Sequence, residues 1–356
     1  MEEADAIYYG DYNESYFDDN SSINYEDYIF LCEKDDVRKF AQSFLPAFYT
    51  ITLILGLAGN SLVIAIYAYY KRIKTKTDLY IMNVAIADLL LLFTLPFWAL
   101  QAVHGWVVGI ALCKICSVLF VMNFNAGMFF LACISVDRYV AISRVTSRPT
   151  IGIKGRITCL CVWLLAFLLS IPDLIFTTVA NREDMDRCMI IFRSHTETSA
   201  KAMVQVLEIL LTFVIPLLVM VYCYSKVARA LSRVTNVKKR KTFKVLLAVV
   251  GLFFLTQVPY NIVKFCRLID NIYLVITDCQ SSKRFDVAIQ VTVSIALFHS
   301  CLNPILYVFM GATFKSYIVK AVKEYSYLRR QRNRPDTIQY SFNSLSQSEQ
   351  TTSFTM

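Results

Sequence analysis

The sequence predicts an all-α membrane protein: a seven-transmembrane helix bundle followed by a short amphipathic eighth helix. Three observations predict it. Of the 356 residues, 56% are hydrophobic and only 18% are charged, against roughly 25% charged in soluble domains. No charged residue occurs from Phe40 to Tyr70 or from Val287 to Phe314. Apolar runs recur seven times, near residues 44–70, 79–103, 109–136, 156–176, 202–225, 244–269 and 285–309. About 20 apolar residues cross a bilayer as a helix, and lipid offers bare backbone no partner, so each run has to be helical.

The linkers orient the bundle. Lys71, Arg72, Lys74 and Lys76 follow the first run; Arg144, Arg148, Lys154 and Arg156 follow the third. Eight Lys or Arg residues between Lys226 and Lys244 follow the fifth, and seven between Lys315 and Arg334 follow the seventh. The positive-inside rule makes these segments cytoplasmic, and an odd number of spans then places the amino terminus outside. Residues 1–39 lack the apolar core of a cleavable signal, so the first span reads as an uncleaved anchor. The chain divides into an extracellular acidic tail (1–43), the bundle (44–310), a membrane-surface helix (311–324, "GATFKSYIVKAVKE") and a cytoplasmic Ser/Thr-rich tail (325–356).

The amino-terminal tail opposes the chain's overall charge of +9: residues 1–43 hold twelve Asp or Glu and three Lys or Arg, a net of −9. Asn13-Glu14-Ser15 and Asn20-Ser21-Ser22 are glycosylation sequons, which fits Asn13 and Asn20 on a segment exposed to the secretory pathway. Cys32, Cys113, Cys188 and Cys279 fall in or beside the predicted outer segments. That exterior is oxidising, and four cysteines allow three pairings. The other cysteines, Cys116, Cys133, Cys159, Cys161, Cys223, Cys266 and Cys301, read as small apolar packing residues.

Local patterns then converge, one per span: "GLAGNSLV" with Asn60, "NVAIADLL" with Asp88, "SVDRYVAI", Trp163, Pro216, "TQVPYN" and "HSCLNPILY". On these the chain resembles a class A, rhodopsin-like G-protein-coupled receptor over roughly residues 40–325. "TLPFWA", Trp106 and the second outer cysteine pair make it resemble the chemokine receptors. Signalling members typically read DRYLAIVHA where this chain reads "DRYVAISRV" at 137–145, and the overall resemblance, with that change, implies their atypical branch.

The resemblance carries several expectations. It pairs Cys113 with Cys188 and Cys32 with Cys279. It places Tyr49, Trp98, Phe120, Glu208, Gln257, Tyr260 and Gln290 in a ligand pocket. Val293 stands where these receptors often carry a glutamate; either Glu208 supplies the anionic anchor for a cationic ligand end, since charge inside a span is costly and usually functional, or the deep pocket matters less in this chain. Asp137, Arg138, Tyr139, Tyr224, Pro259, Asn303, Pro304 and Tyr307 match the activation switch. Asp88, Asn123, His299 and Asn303 match the sodium site, although Gly127 lacks the hydroxyl often used there; no other cofactor is expected. Tyr8, Tyr9, Tyr12 and Tyr16 lie among carboxylates and resemble sulfation sites, a merely solvated acidic tail being the alternative. Ser341, Ser344, Ser346, Ser348, Thr351, Thr352, Ser353 and Thr355 would serve receptor kinases and arrestin, which reads clustered negative charge.

The function implied is capture, internalisation and scavenging of homeostatic CC chemokines at the plasma membrane and in early and recycling endosomes, with β-arrestin as partner and little G-protein signalling. The alternative is a conventional Gi-coupled CC chemokine receptor driving chemotaxis and calcium mobilisation. Membrane lipid is the other partner, and no nucleic-acid partner is expected. A transporter reading lacks an internal repeat. An enzyme reading lacks a coherent group, since His104, His195 and His299 fall in separate regions without metal-ligand spacing.

Overall fold

The computed structural model describes residues 32–70, 73, 75–143, 152–182, 185–191, 195–232, 237–310, 319, 323 and 326. The sulfation, glycosylation and phosphorylation candidates lie outside these residues, as does most of the predicted membrane-surface helix. By its contacts the chain forms two units, Met1–Leu306 and Tyr307–Met356. The second contains the end of the last long helix and helical positions at 319, 323 and 326. The first holds the helix bundle.

Helix α1 spans Asp35–Ala65 and continues as a wider π-helical turn, Ile66–Tyr70. It starts before the apolar run read at 44, with Asp35 and Asp36 in its first turn, where carboxylates complement the helix dipole. Helix α2, Lys76–His104, opens with a capping box: Thr75 Oγ1 accepts from the Asp78 amide at 3.1 Å while Asp78 Oδ2 accepts from the Thr75 amide at 3.2 Å. Gly105 ends α2 with φ 77°, and a Cβ there would lie 2.9 Å from the Asp186 carbonyl oxygen. Only glycine takes that conformation and that approach together.

Helices α3 (Gly109–Ser143), α4 (Ile153–Leu169) and α5 (Ile171–Phe176) come next. The sequence reads as all-α, and the structure adds a small antiparallel hairpin. Strands β1 (Thr177–Arg182) and β2 (Met185–Ile190) pair with Val179 opposite Cys188. The predicted fifth span is a single path of α6 (His195–Glu208), a π-helical turn (Ile209–Val214) and α7 (Ile215–Ser232). Helix α8 is Val237–Tyr273 and α9 is Cys279–Met310. Among the described residues, six helical stretches are long and apolar enough to cross a membrane; α8 covers the remaining run read at 244–269.

The bundle is apolar outside, and polar groups are buried among its apolar core. Ile54, Leu160, Leu218 and Leu255 are each at least 60% exposed, whereas Asn60, Asp88, Asn303 and Ser300 are 2% exposed or less. The exposed leucines suit lipid, which gives them no reason to hide. The inward polar groups cross-link helices. Asp88 accepts from Asn123 Nδ2 (3.3 Å) and Asn303 Nδ2 (3.0 Å), joining α2, α3 and α9. Asn60 Nδ2 donates to the Ser300 carbonyl at 3.0 Å, joining α1 to α9. Trp163 Nε1 donates to Asn83 Oδ1 at 2.9 Å, joining α4 to α2. Glycines let helices approach closely: a Cβ on Gly56 would meet Leu92 at 2.7 Å, and one on Gly59 would meet Pro304 at 2.8 Å.

The Asn83–Trp163 bond is open to test. Asn83→Leu strands the indole N–H and should lower stability by about 1 kcal/mol, the scale of an interhelical hydrogen bond in a membrane protein. Adding Trp163→Phe should then cost less than it does alone. Thermal unfolding of the purified single and double variants reads this; fully additive losses would contradict the bond's role.

Candidate ligand-binding cavity

The cavity is assembled by helical periodicity and one local distortion. On α3, Phe120, Phe124 and Met128 recur every four residues and form one wall. On α8, Gln257, Tyr260, Lys264 and Arg267 do the same at spacings of three and four. Ile289 and Val293 come from α9, and Asp173 and Ile190 cover the hairpin end. The remaining wall needs the π-helical turn. Pro216 has no N–H and its ring crowds the carbonyl four residues back, that of Thr212. The chain widens over Ile209–Val214 just before it, and Thr212 Oγ1 donates to the Glu208 carbonyl at 2.8 Å. Widening changes the register of everything upstream, and Glu208 and Gln205 line the cavity. The cavity volume is about 110 Å³.

The hairpin is held over the cavity at several points. Cys113 on α3 is disulfide-bonded to Cys188 on β2. The Cys188 amide donates to Gln101 Oε1 at 2.8 Å, and the Trp106 amide donates to the Asp186 carbonyl at 2.6 Å. Lys114 Nζ donates to the Leu174 and Ile175 carbonyls at 2.6 and 3.1 Å, satisfying the end of α5. The second disulfide, Cys32–Cys279, ties the residues before α1 to the start of α9. Asp278 caps that start, accepting from the Ser281 amide at 2.8 Å. The backbone and side-chain hydrogen bonds from Ser281 hold its carboxyl below the usual carboxylate range.

Of the seven residues expected in the pocket, Phe120, Glu208, Gln257 and Tyr260 line this cavity, as does Val293. Tyr49, Trp98 and Gln290 do not line it, although all are buried. Trp98 packs 5.5 Å from the Trp106 ring and 6.3 Å from Phe120, so it backs the wall instead of facing the space. Trp106 is itself fixed, its Nε1 donating to the Gly109 carbonyl at 2.8 Å.

Sequence reasoning misses the cations. Lys264 Nζ lies 2.8 Å from Glu208 Oε2, so the intramembrane carboxylate is already paired. Arg267, 5% exposed, stands 3.5 Å from Asp286 and 3.8 Å from Asp270. Asp286 also holds Lys34 at 2.7 Å, beside the Cys32 bridge. The signal was available: two cations three residues apart inside an otherwise apolar run need partners.

Away from the cavity, Thr77 Oγ1 donates to Asp137 Oδ2 at 2.6 Å. Arg138 is half-buried, Tyr139 packs 6.2 Å from Tyr222, and Tyr224 is buried. Pro259 and Pro304 lie within α8 and α9. The arrangement around Asp88 does not fit the implied sodium ion. Both its oxygens accept amide N–H groups, Gly127 offers no side-chain oxygen, and His299 packs edge-on to Phe253 at 4.8 Å. Its Nε2 has no hydrogen-bond partner among the described residues. No cluster of three or more His, Cys, Asp or Glu suited to a metal occurs among the described residues.

Comparison with known proteins agrees with this architecture. The 7 transmembrane receptor (rhodopsin family) pattern matches residues 59–307. The chain is similar to atypical chemokine receptor 4 of Homo sapiens, 55% identical over 349 residues, covering 98% of this chain and 97% of that protein. The protein of the same name from Bos taurus is 54% identical, covering 94% and 96%. C-C chemokine receptor type 7 of Homo sapiens is 38% identical, covering 90% and 86%. These are receptors and not enzymes. The chain belongs to the chemokine receptor family of rhodopsin-like seven-transmembrane receptors.

Proposed function

We propose that this receptor captures CC chemokines and removes them by internalisation, with little G-protein signalling. The observation that carries the reading is the match of 55% identity along almost the whole chain to a protein named an atypical chemokine receptor. Within the chain, "DRYVAISRV" at 137–145 keeps Arg138 and departs from the signalling pattern DRYLAIVHA at Val140, Ser143, Arg144 and Val145. The receptor sits in the plasma membrane and cycles through early and recycling endosomes, with its amino terminus outside.

Capture is a two-part event. The acidic tail attracts basic chemokines at long range, raising their local concentration and association rate. Sulfation of Tyr8, Tyr9, Tyr12 and Tyr16 adds acceptor oxygens suited to Arg clusters, and Asn13 and Asn20 carry glycans. The disulfide Cys32–Cys279 and the Lys34–Asp286 contact support this by keeping the tail's root beside the cavity, which takes the ligand's amino-terminal end. Kinases phosphorylate the Ser and Thr residues from Ser341 to Thr355, and β-arrestin reads them. A Gi-coupled reading is favoured by one observation: Asp137, Arg138 and Tyr139 are all kept.

Cells carrying the receptor should deplete homeostatic CC chemokines from a labelled panel without a calcium rise or a fall in cyclic AMP, and pertussis toxin should not stop them. A robust, toxin-sensitive calcium response would contradict scavenging and establish the Gi-coupled alternative. Deleting residues 2–28 should slow chemokine association and flatten its salt dependence, because exposed charges are screened over about 8 Å at physiological ionic strength. Unchanged association at low salt would contradict steering by the tail.

A further inference from the structure

The contact between Glu208 and Lys264 bears on which ligands the cavity accepts. Glu208 ends α6 and Lys264 lies on α8, yet their charged atoms are 2.8 Å apart. Both line the cavity and both side chains are about one-fifth exposed. They therefore meet at its surface, where an entering group can reach them. Val293, also in the lining, offers no charge. The other carboxylate in the lining, Asp173, is 7% exposed.

We propose that Lys264 is a tethered competitor: its ammonium occupies the place on Glu208 that an incoming cationic chain end would take, and so determines which ligands the cavity admits. This rests on the reading of the cavity as the seat of the ligand's amino-terminal end. A tethered amine acts at a high effective concentration. A ligand bringing only an ammonium must displace it and leave Lys264 without its carboxylate. A ligand whose end carries both an ammonium and an acidic group replaces the internal pair with two new ones. The pair thus selects zwitterionic chain ends and rejects simple amines, a discrimination made by cost as much as by attraction. An internal pair formed about nine-tenths of the time lowers the apparent affinity of a purely cationic end about tenfold.

The test uses the full-length purified receptor, with n-butylammonium as probe, and four variants: Lys264→Gln, Lys264→Arg, Glu208→Gln and the double Glu208→Gln/Lys264→Gln. n-Butylammonium should raise the unfolding temperature of Lys264→Gln at about one-tenth of the concentration that wild type and Lys264→Arg need, and leave both Glu208 variants unmoved. Equal stabilisation of wild type and Lys264→Gln would overturn the proposal. In a second arm, Lys264→Gln should tighten capture of CC chemokines with a neutral second residue about tenfold. It should not change capture of the same proteins acetylated at the amino terminus. Glu208→Gln should weaken the unacetylated forms. A loss of capture in Lys264→Gln for acetylated and free forms alike would also overturn it, since a purely structural pair behaves that way. Absence of chemokine capture by every receptor, with the butylammonium pattern intact, would uphold the competitor and count against the chemokine reading alone.

Discussion

A polar side chain inside a membrane bundle must find its partner on another helix, and this architecture depends on that constraint. Asp88 shows it most sharply. It is 2% exposed, and its two oxygens accept from the amides of Asn123 and Asn303. Those two bonds fix α2 against α3 and α9. Asn60 adds α1 through the Ser300 carbonyl, Asn83 adds α4 through Trp163, and Gln257 adds α8 through the Ala296 carbonyl at 3.1 Å. Apolar contact alone would not set this registry, because lipid tails are as apolar as leucine. The directional bonds decide which faces turn inward, and therefore which residues can line a cavity.

The cavity is the place where that closure is incomplete. Pro216 prevents the fifth membrane path from continuing as a regular helix, and the widened turn before it accompanies a gap between α3 and α8. Placing charge in this gap has a cost, which pairing offsets: Glu208 with Lys264, and Arg267 with Asp286 and Asp270. Removing one partner of such a pair is more damaging than removing both, because the survivor is left desolvated. The hairpin lies over one side, fixed by Cys113–Cys188 and the Gln101 contact. Asp286 reaches both Arg267 in the cavity wall and Lys34 before α1, so the cavity wall and the residues before α1 share one carboxylate.

Much of this fold was legible because membrane spans announce themselves by the absence of charge. The runs at 44–70 and 285–309 need only counting, and Asp88, Asn60 and Trp163 stand out as polar or large residues in apolar surroundings. The cysteine pairing was different: the chain alone allowed three connectivities, and resemblance chose the one the structure contains. Three features were not legible. The hairpin at 177–182 and 185–190 depends on strand pairing and on a disulfide to a distant helix. The π-helical turn at Ile209–Val214 leaves no mark in apolar periodicity. The facing of Trp98, Tyr49 and Gln290 depends on helix rotation, and a rotation of a fraction of a turn separates lining a cavity from backing its wall. Glu208 and Lys264 were each visible, but their pairing across 56 residues of sequence was not.

The central functional claim is that the cavity between α3, the α6–α7 path and α8 receives the ligand's chain end. Photocrosslinking tests it most directly: a photoreactive amino acid at residue 293, in receptor bound to a captured CC chemokine, followed by mass spectrometry of the adduct. The account predicts a crosslink mapping to the first few residues of the chemokine. Adducts formed only from positions in the receptor's amino-terminal tail, with none from residue 293, would contradict it.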